Sequence, residues 1–133
     1  MVTPEQIDGF LGRLASEGAT YEEIETGLWK INPGGELDLT VVVHHSPPVV
    51  VLRVKVMELP KNGSADRLCR RLLELNATDL LYGSYGIQGT EVVLTETLEL
   101  SHLDYEKFQA SYESITLSLA GHLRELATFR EAR

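Results

Sequence analysis

Four histidines, one cysteine, three evenly spaced glycines and a trio of arginines are the side chains here with the chemistry to bind or react. His44 and His45 invite a metal reading, since imidazole is the commonest transition-metal ligand. In an extended segment adjacent side chains leave on opposite faces, so the two rings do not chelate together. His102 and His122 stand far away in the chain, and neither a Cys-x-x-Cys nor a His-x-x-x-His spacing supports them as ligands. All four read as surface or rim histidines, with no metal site. Gly83, Gly86 and Gly89 are three residues apart, but a phosphate cradle needs its glycines between a strand and a helix amino end. These lie in a hairpin pattern and read as strand twist, close backbone approach and a turn, leaving a groove beside Tyr82 and Tyr85.

Cys69 falls on the apolar side of a helical pattern, where a small buried thiol is expected rather than a nucleophile. The serines lack a Gly-x-Ser-x-Gly context, and Glu22, Glu23, Glu96 and Glu99 have no pocket to make them a carboxylate pair. The sequence therefore predicts no catalytic residue and no cofactor. Arg67, Arg70 and Arg71 cluster on the exposed side of the same helix, either as a solvated face or as a contact for an acidic partner or another subunit's carboxylates.

The elements that would hold these residues follow from periodicity and punctuation. Thr3-Pro4-Glu5-Gln6 combines an N-cap, a proline at the first helical position and a capping-box glutamine, and Ile7, Phe10, Leu11 and Leu14 follow at helical spacing. Tyr21 to Ile31 reads as one strand whose two ends bury different faces. After the turn Asn32-Pro33-Gly34-Gly35, Leu37, Leu39, Val41 and Val43 alternate in a second strand. Beyond Ser46-Pro47-Pro48, Val50, Leu52, Val54 and Val56 alternate in a third. Pro60 to Ser64 breaks the sheet, with Ser64 as the expected cap of a helix through Leu68, Leu72 and Leu75 to about Asn76. Asp79 to Gln88 and Val92 to Leu100 form a second hairpin around Gln88-Gly89. A stripe from Leu103 through Phe108, Tyr112, Ile115 and Leu119 to Leu126 closes the chain as one long helix. The expected order is α-β-β-β-α-β-β-α: an α+β fold with an antiparallel five-stranded sheet packed with helices.

Bulk properties bound the function. A chain of 133 residues with 43% apolar side chains makes one domain with one core. Twelve basic against twenty acidic side chains give a net charge of -8, which opposes nucleic acid and anionic lipid and steers basic partners. The lone Cys69 forms no internal bridge, and the start MVTPEQIDGF lacks the basic and apolar regions of a secretory signal, so a cytoplasmic setting is expected. No apolar run approaches the roughly 18 residues of a membrane helix.

One segment carries a resemblance. Leu75-Asn76, then Leu81-Tyr82-Gly83-Ser84-Tyr85-Gly86-Ile87, Glu91-Val92-Val93-Leu94, Leu98-Glu99-Leu100 and Leu103-Asp104 resemble the YbjN family, within the wider group sharing the fold of type III secretion chaperones of the Tir-chaperone kind. The resemblance implies a small bacterial cytoplasmic protein, commonly dimeric, that handles other polypeptides or regulates responses without an active site. The Tyr82 to Gly86 stretch looks closer to YbjN proteins than to dedicated secretion chaperones.

A partner is also expected from the residues themselves. Val49, Val50 and Val51 make both faces of the third strand apolar, so something besides the helices must cover Val49 and Val51. The last helix, about 39 Å from Asp104 to Phe129, is as long as the domain is wide, and its far end is expected to overhang. The leading expectation is a non-catalytic homodimer that binds an extended polypeptide through Val49, Val51, Tyr82 and Tyr85, with an uncapped sheet edge as a further docking element and Arg67, Arg70 and Arg71 as further contacts. The competing one is a small-ligand protein or enzyme using the Tyr82–Gly86 hairpin as a pocket wall.

Overall fold

A computed structural model describes residues 1–35, 38–61 and 63–131. Helix α1 (Pro4–Ala15) starts at the expected cap: the Gln6 N–H donates to Thr3 Oγ1 (3.2 Å) and the Thr3 N–H to Gln6 Oε1 (2.9 Å). Four strands follow, β1 (Thr20–Glu25), β2 (Leu28–Asn32), β3 (Val41–Ser46) and β4 (Val49–Glu58), then helix α2 (Ala65–Thr78), strands β5 (Ser84–Gln88) and β6 (Glu91–Glu99), and helix α3 (Tyr105–Glu131). All neighbours are antiparallel, in the order β1-β2-β3-β4-β6-β5.

The sheet has six strands, not five. The stretch from Tyr21 to Ile31 is a hairpin, with Gly27 at φ +83° in the turn and an irregularity between Glu23 and Glu25. The change of buried face along this stretch thus marks a chain reversal rather than strand twist. The second expected strand begins at Val41, and the part of that expectation resting on Glu36 and Leu37 lies outside the described residues, as does Asn62 in the expected break after β4. Helix α2 runs past Asn76 to Thr78, capped by the Asp79 N–H on the Leu75 carbonyl, so Asp79 to Gly83 is a cap and loop rather than strand.

One face of the sheet carries Trp29, Ile31, Val41, Val43, Leu52 and Leu94, all fully buried with Ile7, Leu68, Phe108 and Ile115 of the helices. The Trp29 indole N–H donates to Asp8 Oδ1 at 3.1 Å, fixing α1 to β2. The far end of α3 does not overhang. Leu126 is buried in the core, and Ser64 Oγ donates to the Phe129 carbonyl at 3.4 Å. Ser64 occupies the N-cap of α2 but caps it with no side-chain bond.

The two edge strands differ. β1 is exposed along most of its length and carries Glu22, Glu23 and Glu25. β5 lies beside α2, and Asn76 reaches across: the Tyr85 N–H donates to Asn76 Oδ1 (2.7 Å) while Asn76 Nδ2 donates to the Tyr85 carbonyl (3.1 Å). At Tyr85 one amide thus fills the place of a neighbouring strand.

Candidate functional site

The side of the sheet away from the helices is read from the register. Lys30, Val42, Arg53 and Thr95 form one row across β2, β3, β4 and β6, and His44, Val51 and Thr97 form another. Along β4, Val50, Leu52 and Val54 are fully buried, whereas Val49 and Val51 on the other face are half-buried and Arg53 is exposed. This face offers apolar contact at Val42, Val49 and Val51 around a guanidinium. His44 lies on it, while His45 turns the other way and hydrogen-bonds through Nε2 to the Val2 carbonyl (2.9 Å), tying down the chain start.

The tyrosines part company. Tyr82 is 42% exposed in the loop before β5, beside Leu98, Lys107 and Ala110. Tyr85 is 5% exposed, and its hydroxyl lies 2.7 Å from His122 Nδ1, whose Nε2 lies 2.9 Å from Asp79 Oδ2. A carboxylate accepts only, so Nε2–H donates to Asp79 and Nδ1 accepts the phenol proton, a tautomer that satisfies every atom of the chain. Burial, and then the charges of Asp79 and Glu125, push the Tyr85 phenol well above its ordinary range. As an exposed docking residue Tyr85 is therefore corrected: its ring is packed inside the molecule and its hydroxyl is engaged. His122 is likewise not a rim residue. It stands three residues after Leu119 and four before Leu126, and that position on the apolar stripe is the sequence signal of its burial.

The hairpin does wall a pocket, about 220 Å3 in volume, lined by Cys69, Leu72, Leu73, Tyr85, Gly86 and Ile87. It is smaller than the roughly 300–1,000 Å3 of typical ligand sites, and its lining is almost wholly apolar. Cys69 sits half-buried in this wall rather than deep in the core. Leu73 and Ile87 stand exposed at its mouth.

The arginines also divide. Arg71 reaches from α2 to Glu125 of α3, with Nη2 3.2 Å from Oε1 and Nε on the second oxygen, and also meets Glu74 at 3.4 Å. Arg70 pairs with Glu74 at 3.5 Å. Both are occupied within the molecule, Arg71 as a clasp between helices. Arg67 is exposed and forms no ion pair among the described residues. The expected docking residues thus do not form one patch: Val49 and Val51 share the open sheet face, Tyr82 lies on the helical side, and Tyr85 is inside.

Among the described residues no three or more His, Cys, Asp or Glu side chains are grouped to hold a metal ion, and no helix is long and apolar enough to cross a membrane.

Comparison with known proteins adds to this geometry. The model of the family described as CesT_Tir_1 matches residues 2–132. No curated protein matches the chain significantly. A chain of the heterodimeric complex ExoU-SpcU from the type III secretion system of Pseudomonas aeruginosa aligns with a TM-score of 0.65 at 14% identity, over 92% of this chain and 96% of that one. A chain of the ExsC-ExsE complex aligns with a TM-score of 0.59 at 15% identity, over 92% of each. At these identities the likeness establishes the fold: helices packed on an antiparallel sheet.

Proposed function

The chain belongs to the CesT_Tir_1 family, and from that premise we propose that it is a non-catalytic, chaperone-like protein of the cytoplasm that works as a homodimer and holds an extended segment of another polypeptide. The observation that carries this reading is the open sheet face. Val49 and Val51 are half-buried on a surface that no described helix covers, while their neighbours Val50 and Leu52 fill the core behind it. Apolar side chains at alternate positions of a strand suit an extended segment laid over them, because its own side chains alternate with the same period. Further support comes from the two similar folds, both found in complexes of two different proteins. The Tyr82 to Gly86 segment looks closer to YbjN proteins than to dedicated secretion chaperones, which supports a regulatory client over a secretion cargo.

Two measurements test the reading. Light scattering at micromolar concentration gives twice the 14.8 kDa chain mass, and a monomer overturns the dimer. Affinity capture from the native host with mass spectrometry retains a polypeptide that Val51→Asp releases while circular dichroism is unchanged. Retention that ignores Val51→Asp, or no retained polypeptide, overturns the client-holding role.

A further inference from the structure

The middle of the open sheet face carries two cations that have no ion-pair partner among the described residues. Arg53 stands exposed at its centre, between Val42 on β3 and Thr95 on β6, and Lys30 stands exposed beyond Val42 in the same row. Lys55 on the same strand is held by Glu58 (2.9 Å) and Glu91 (3.1 Å), but among the described residues Arg53 and Lys30 form no ion pair. Glu22 is the register partner of Lys30 on β1, yet the two make no salt bridge. An uncompensated guanidinium among valines, in a chain of net charge -8, is an arrangement with a direction of recognition.

We infer that this face takes an acidic, apolar extended segment of a partner polypeptide, with apolar side chains over Val49 and Val51 and a carboxylate on Arg53. The inference rests on the client-holding role proposed above and names the client's chemistry. Same-face side chains on a strand recur about every 6.8 Å, so a segment lying along β4 meets Val49, Val51 and Arg53 at alternate positions, in the order apolar, apolar, acidic. The guanidinium fork matches a carboxylate through two parallel hydrogen bonds, and Lys30, about 10 Å away across two strands, adds a second positive point. The net charge does not cancel this preference. Screening shortens fields to about 8 Å at physiological ionic strength, so at contact the nearest charges decide. A uniformly anionic strand such as a nucleic acid fits less well, because four valines (Val42, Val49, Val51 and Val93) and the outer carboxylates Glu22 and Glu99 share the face.

The test is fluorescence anisotropy of the full chain with two labelled peptides, one repeating Val-Ser-Val-Ser-Asp-Ser and one with Lys replacing Asp. The acidic peptide binds, binding weakens with salt, and Arg53→Glu weakens it about tenfold, with Arg53→Gln intermediate. The lysine peptide binds the wild type more weakly and gains on Arg53→Glu. Among the described residues Arg53 has no ion-pair partner to lose, so both variants keep the fold by circular dichroism. The inference fails if the lysine peptide binds the wild type better, or if Arg53→Glu leaves the acidic peptide unchanged. It fails also if a single-stranded oligonucleotide competes as well as the peptide, or if Arg53→Glu turns a dimer into monomers, which would assign the face to a second copy. If neither peptide binds while a Val51-dependent client is still captured, only this inference falls and the client-holding role stands.

Discussion

Gly83 tolerates no side chain. Its φ is +77°, and a Cβ there would lie 2.8 Å from the Thr95 carbonyl and 3.0 Å from Ile115 Cγ2. Gly83→Ala is therefore expected to cost about 2 kcal/mol or more, read as a lower urea midpoint at unchanged slope. Gly86→Ala, with open space around its Cβ, stays within about 0.5 kcal/mol. The close approach expected of the three glycines thus falls on Gly83, and the turn on Gly89 at φ +63°. Tyr85→Phe leaves His122 Nδ1 without its donor and is expected to cost about 1 kcal/mol. Tyr112 gives a pH signature. Burial pushes its phenol up to about 12 from an ordinary 10, so the native state holds a proton that the unfolded chain gives up first. Its contribution to stability is full below pH 10 and lost as the pH rises from 10 to about 12, and phenolate absorbance should follow the same delayed course.

At the scale of elements, Asn76→Ala removes both partners of the Tyr85 backbone. It is expected to cost about 1–3 kcal/mol and to speed hydrogen exchange at the Tyr85 amide while β2 and β3 stay protected. Local signals served well here: the Thr3 capping box and the alternation of β4 are both written in consecutive residues. Contacts across long separations were not legible. The Arg71–Glu125 clasp joins positions 54 residues apart, so the arginine trio read as a solvated face or a partner contact. The hairpin between β1 and β2 was missed for a different reason. A strand that changes its buried face through twist and two strands joined at Thr26-Gly27 give the same apolar pattern, and only the glycine separates them.

For the whole molecule, the sequence showed that one helical layer leaves Val49 and Val51 uncovered, and the fold keeps that imbalance. The two faces should answer differently to the same insult. Val51→Asp is expected to cost less than about 1 kcal/mol, whereas Leu52→Asp buries an unpaired carboxylate and is expected to cost more than about 4 kcal/mol, enough to abolish a cooperative urea transition. Tyr85 was misplaced because a tyrosine in an alternating strand reads alike whether its ring meets solvent or a histidine from a helix 37 residues on. Net charge hid as much as it showed: a total of -8 gives no hint that Arg53 and Lys30 meet on one face, since only the register sets them in a row.

The two rims of the sheet are locked by different physics. At β5 a side-chain amide already occupies the Tyr85 backbone, so a strand docking there has to displace it whatever its charge. At β1 three glutamates refuse only their own kind. Two copies zipped rim to rim would set those glutamates against each other, whereas a foreign segment bearing lysines would find attraction there. The same rim thus repels a second copy and attracts a basic strand, and any homodimer would have to form through a face or a helix.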